Sequence, residues 1–146
     1  MAPFRFRLET VLDYRKRLEE EAMQTLAGAV LRRDGLLARR QSLQGTRAEH
    51  RDRLCGAHLL TAAERWLLQG FLRALERDLK DTENALRQAE EEVDRCRTAL
   101  VQKARERSLL DRLKEKQAAA HAALERANEQ RAFDEAATLR YTPASF

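Results

Sequence analysis

The sequence predicts an all-α fold: an antiparallel two-helix coiled coil, a long helical hairpin whose second helix is longer and overhangs the first. Three observations predict it. The first is a narrow apolar stripe at alternating spacings of four and three: Leu68, Leu72, Leu75, Leu79, Thr82, Leu86, Ala89, Val93, Cys96 and Leu100. Only a supercoiled helix keeps such a stripe on one side, and a stripe so narrow needs a partner helix. The second is a turn signal at residues 55–60, which separates this stripe from a poorer one before it. The third is composition: 36% of residues are charged, 5% are aromatic and two are proline, which suits long helices better than a compact domain.

Residues 1–7 (MAPFRFR) are basic and aromatic and read as frayed or extended. The first helix is expected from about 8 to 54. Its stripe runs through Leu8, Val11, Leu12, Leu18, Ala22, Leu26, Ala29, Leu36, Leu43 and Leu54. Arg15, Arg40, Arg47 and His50 fall at or near inward positions, and Gly28, Gly35 and Gly45 interrupt it. An interior glycine costs roughly 1 kcal/mol against alanine, unless small residues serve close helix approach. This arm therefore depends on its partner.

The turn is expected at about 55–60, with Gly56 as helix stop. Thr61 and Glu64 then form a capping box that opens the second helix, at about 61–137. A connection this short makes the helices antiparallel neighbours, pairing positions whose numbers sum to roughly 117. That register sets Asp81, Glu83, Glu90, Glu91, Glu92 and Asp94 beside Arg32, Arg33, Arg39 and Arg40, and Glu19, Glu20 and Glu21 beside Arg95 and Arg97. Opposite charges flanking a seam favour one register, though each exposed pair adds little stability.

At 1.5 Å per residue the arms measure ~70 Å and ~115 Å, so nothing is expected to cover the second helix beyond about residue 112. Leu113, Ala120, Leu124, Ala127 and Phe133 continue a stripe there, implying a partner or a second copy. A tail at 138–146 closes the chain, with Pro143 ending the helix. The whole of 1–146 reads as a single coiled-coil hairpin.

The chemistry of the residues points to binding and not to catalysis. No glycine-rich phosphate loop is present. His50, His58 and His121 are scattered away from metal-ligand spacing, so neither metal nor cofactor is expected. Acidic residues on a coiled coil form its solvated face, and no acid–base pair emerges. Cys55 and Cys96 lack a CxxC or Cys/His context and read as reduced thiols of a cytoplasmic protein. No apolar run approaches the ~20 residues that cross a bilayer. The formal charge of +4 is a small difference between large totals. From Arg95 to Lys116 eight basic residues face three acidic ones, without interleaved aromatics for base stacking, so no nucleic acid is expected.

Aromatic residues near the turn are the informative exceptions. Trp66 and Phe71 read either as turn packing against Leu54, Leu59 and Leu60 or as an interface anchor. Phe71 and Leu75 are four apart and share a face, so they read as one contact.

On three segments, FRFRLETVLDYRKRLEEEA, ERWLLQGFLRALERDL and LLDRLKEKQAAAHAALERANEQRAFDE, the chain resembles the flagellar FliJ-type export proteins. The resemblance covers essentially the whole chain, and the order and spacing of the segments carry it. It implies a non-enzymatic, stalk-like component of the bacterial flagellar type III protein export apparatus, and hence a role in flagellum biogenesis and motility. It implies binding to the hexameric flagellar export ATPase through the end with both termini. It also implies contact with the cytoplasmic domain of the membrane-embedded export gate, and with export chaperones. Association with the inner membrane would be peripheral, through those partners. Residue by residue, Trp66, Phe71 and Leu75 match the gate-contact region, and Tyr14, Arg15, Leu113, Lys114 and Gln117 fall in segments expected to enter the ATPase ring. Late in the first arm, where some relatives carry aromatics, this chain has Thr46 and His50. Two readings stand beside this one: the equivalent stalk of a virulence type III secretion system, and a generic coiled-coil scaffold or nucleic-acid-associated protein.

Overall fold

The computed structural model describes residues 2–56 and 60–141. Two helices account for nearly all of them: α1, Glu9–Gly56, and α2, Ala62–Arg140. They pack against each other as a helical hairpin, with no strand among the described residues. Ala57, His58 and Leu59 of the expected turn, and Pro143 of the expected tail, lie outside the described residues.

The start of α2 is built as its sequence dictates. The Thr61 amide donates to the Glu64 carboxylate at 3.4 Å, and the Glu64 amide donates to the Thr61 hydroxyl at 3.2 Å. This reciprocal box satisfies two amides that the first turn leaves without helical partners. At the start of α1 the Glu9 amide donates to the Phe6 carbonyl at 3.2 Å, and the Glu9 carboxylate sits where the helix dipole favours negative charge.

The chain divides into two units. One, Glu20–Val101, holds the apolar core. Here the α2 stripe is inward at every expected position: Leu72, Leu75, Leu79, Thr82, Leu86, Val93 and Cys96 are buried, and Leu68, Ala89 and Leu100 are half-buried. From α1 the inward positions are Ala22, Leu26, Ala29, Arg33, Leu36, Arg40, Leu43, Arg47, His50 and Leu54, again alternating by four and three. Ala29, Val93 and Cys96 form the tightest cluster, with Leu26 and Val30 against it, and Val93 is 1% exposed. Each buried leucine contributes ~1.5–3 kcal/mol relative to exposure, and the arginines are tolerated because their stems lie along the seam while their heads stay wet. Thr82 is the polar member of the α2 stripe. Its hydroxyl donates to the Asp78 carbonyl at 2.7 Å and leaves nothing unsatisfied.

Register differs from the sequence expectation. Arg51 pairs with Glu76 at 2.9 Å and His50 lies against Phe71, so paired positions sum to about 124 in place of about 117. The displacement is one heptad, which leaves both stripes facing inward and is invisible to a seven-residue period. It also moves charges. Arg95 and Arg97 do not meet Glu19, Glu20 and Glu21; they pair within α2, with Glu92 at 2.5 Å and Asp94 at 3.8 Å.

The other unit, Met1–Glu19 with Gln102–Phe146, is built differently. Residues 2–8 are not frayed: Phe6 is buried, and the Phe4 ring lies 5.7 Å from that of His121. Phe4 and His121 keep the register of the helical pairs, their numbers summing to 125, so this segment continues the cover of α1 along α2. With that one-heptad displacement and residues 2–8 docked, the second helix is covered to about Glu125, well past the expected 112, and residues 126–141 are all exposed. Leu8 and Val11, expected on the stripe, are exposed, whereas Leu12 is completely buried.

Candidate functional site

Two groups of exposed side chains, one in each unit, are the candidate surfaces. In the Glu20–Val101 unit, Trp66 is 67% exposed, Leu67 is exposed and Phe71 is 46% exposed. They follow the capping box, Trp66 and Leu67 off the stripe and Phe71 at its edge. Beside them a shallow groove of about 350 Å³ is lined by His50, Arg53, Leu60, Glu64, Leu67, Leu68 and Phe71. The Phe71 ring packs at a tilt against the His50 imidazole, centroids 4.7 Å apart. The His50 Nδ1 donates to the Thr46 carbonyl at 2.8 Å, which fixes the ring.

Leu75 does not share this exposed face. It is 6% exposed and belongs to the seam with Leu72 and Leu79. The four-residue spacing from Phe71 to Leu75 suggests one contact, but the stripe turns Leu75 inward and leaves Phe71 at its edge. Leu75 thus stands under the surface and supports it. Sequence reasoning misses His50 as a member of this surface. By spacing alone it is only a poor stripe residue, and its pairing with Phe71 follows from the register that periodicity leaves ambiguous.

In the terminal unit, Tyr14 and Gln117 are exposed, and Leu113 is 36% exposed. Arg15 and Lys114 are committed to ion pairs across the helices: Arg15 donates to Glu106 at 2.5 Å and Lys114 to Glu9 at 3.1 Å. The hydrogen bond to Glu9 raises the Lys114 pKa. A third pair joins Arg107 to Glu19, and Arg107 also donates to Asp111 at 2.6 Å. These carboxylates push the Arg107 pKa up. Further along α2, Leu124, Phe133, Leu139 and Tyr141 are exposed, and a groove of about 630 Å³ lies along Phe133, Ala136, Ala137, Arg140 and Tyr141.

Among the described residues no group of three His, Cys, Asp or Glu side chains is placed to hold a metal ion, and no helix is long and apolar enough to cross a membrane. Cys55 is an exposed free thiol and Cys96 a buried one, its pKa raised by burial and by the neighbouring Glu92 carboxylate.

A family profile described as Flagellar FliJ protein matches residues 4–144, nearly the whole chain. The chain belongs to the FliJ family. Membership makes it a component of the flagellar protein export apparatus, with a part in flagellum biogenesis, and the FliJ family is a non-catalytic one. Neither the curated proteins nor the solved structures yield a match.

Proposed function

We propose that this FliJ-family chain acts in the cytoplasm as a non-enzymatic stalk of the export apparatus, binding the hexameric export ATPase through its terminal unit and the export gate through the Trp66–Phe71 surface. Export chaperones are further partners of the same hairpin, and its association with the membrane is peripheral, through the gate. The observation that carries this reading is the family match over residues 4–144, on a chain that exposes Trp66 and Phe71 in one unit and Tyr14 in the other. Aromatic side chains outside a core anchor interfaces disproportionately. Tyr14, Leu113 and Gln117 offer the ATPase an accessible surface, while Arg15 and Lys114 hold the helices that present it.

The test is ATP hydrolysis by the cognate export ATPase, titrated with this protein at fixed salt. A saturable rise, abolished by deleting residues 113–146, is the expected result. A flat titration with no detectable complex rejects the stalk role. A full response from the truncated chain rejects the terminal unit as the contact.

A further inference from the structure

The two units are held together internally by different forces. In the Glu20–Val101 unit α2 contributes seven buried residues, all but Thr82 apolar or thiol. In the terminal unit α2 contributes none among its described residues. Its inward positions there are half-buried and largely polar: Lys103, Arg107, Lys114 and His121, with Leu110 and Ala118 between. What they meet on α1 is equally charged. Glu9, Arg15 and Glu19 each reach across to Lys114, Glu106 and Arg107 respectively, and Lys103 and Asp111 flank the ladder at 3.9 Å from Glu106 and 2.6 Å from Arg107. Asp13 adds its field at Lys114. Among the described residues of this unit the buried apolar side chains are Phe6 and Leu12, with Phe4, Leu18 and Leu110 half-buried.

We propose that this ladder is an ionic clasp, which opens the terminal unit while the apolar unit stays closed, and so frees Phe6, Leu12 and the inner face of α1 residues 9–19. Salt screens the two more exposed pairs, Lys114–Glu9 and Arg15–Glu106, and acts less on Arg107–Glu19, whose carboxylate is buried, whereas apolar burial is not weakened by it. A charged partner surface that competes for Arg107 or Glu19 acts on the clasp in the same way as salt does. The strap of residues 2–8 is tied to the same helix by the Glu9 amide on the Phe6 carbonyl, and keeps a contact of its own with α2 through Phe4 and His121.

Hydrogen exchange of the full chain, followed by mass spectrometry at ~50 mM and ~1 M sodium chloride, reads this directly. Exchange in residues 9–19 is expected to rise severalfold at high salt, the scale of the two more exposed pairs weakened together. Residues 72–96 serve as the internal control and are expected to hold their protection. The triple variant Glu9→Gln, Glu19→Gln, Glu106→Gln is expected to show the fast pattern already at low salt. Exchange of 9–19 that ignores salt in the unmodified protein overturns the proposal, and so does equal acceleration in both segments. The salt response of the unmodified chain decides between these outcomes even where the variant fails to fold.

Discussion

His50 and Phe71 lie ring against ring, one from each helix, with their planes inclined by 41°. Phe71 remains 46% exposed beside this contact. The contact explains how an aromatic beside the seam stays half-exposed without being loose. It also separates the work of Phe71 from that of Leu75, one turn further along α2.

Phe71→Ala is therefore expected to weaken binding of the gate's cytoplasmic domain tenfold or more, about 1.4 kcal/mol, with a stability change within about 1 kcal/mol. Leu75→Ala removes a buried seam residue and is expected to cost about 2–3 kcal/mol of stability. Thermal melts and titration of the gate domain check both. A large fall in Tm for Phe71→Ala with unaltered binding makes it a packing residue only.

Thr82→Val is expected to leave stability unchanged or raise it slightly. The hydroxyl returns its hydrogen bond to a carbonyl of its own helix, so its removal orphans no buried group. A Tm lowered by several degrees would show that Thr82 selects the register through a contact across the helices.

Gly35→Ala is expected to stabilise the hairpin by up to ~1 kcal/mol, measured by urea melts. A Cβ built there meets nothing within 4 Å, so the close-approach reading of this glycine does not hold. Destabilisation would mean that α1 bends at this point.

Cys55 is expected to react quickly with a thiol reagent and Cys96 slowly, because one is exposed and the other buried with a raised pKa. The thiolate is the reactive form, so the same burial that hides Cys96 also keeps it protonated. Equal rates in the folded protein would contradict the packing of the Ala29–Val93 cluster.

Acid sensitivity follows from Glu92. Hydrogen bonding and charge from Arg95 hold its carboxyl below the usual carboxylate range, with Arg32 adding to the effect. A depressed folded-state pKa contributes stability that is present above the ordinary value and lost as pH falls through the lowered one. The gap in Tm between the wild type and Glu92→Gln should therefore close on titrating from about pH 6 to about pH 2. A gap that persists in acid places the effect in packing.

The seam of α2 is fully legible in the sequence, from Leu68 to Leu100, because burial against one partner helix imposes the period that the sequence prints. The capping box of Thr61 and Glu64 is legible because its partners lie three residues apart. Register is not, since a sliding match of two heptad repeats is equally good one repeat away. What fixes it is aperiodic: Glu19 opposite Arg107, Arg51 opposite Glu76, His50 opposite Phe71. The docking of Phe4 and Phe6 is illegible because MAPFRFR has no period, and an extended segment gains its place only from the surface it lands on. Of the candidate residues, Trp66 and Phe71 stand out by being aromatic off the stripe. Leu75 shows the limit of spacing alone: a neighbour at four residues can turn to the other side of a seam's edge.

The one-heptad ambiguity also makes the hairpin a ruler with fixed graduations. Seven residues added to each helix within Glu20–Val101 restore the same stripe, the same handedness and the same inward set, and lengthen the pair by ~10 Å. Insertions that are not multiples of seven shift the stripe off the seam unless the supercoil locally over- or unwinds. Lineages of such a chain are thus free to change reach only in whole steps, and length differences between them should fall on multiples of seven, matched in both arms.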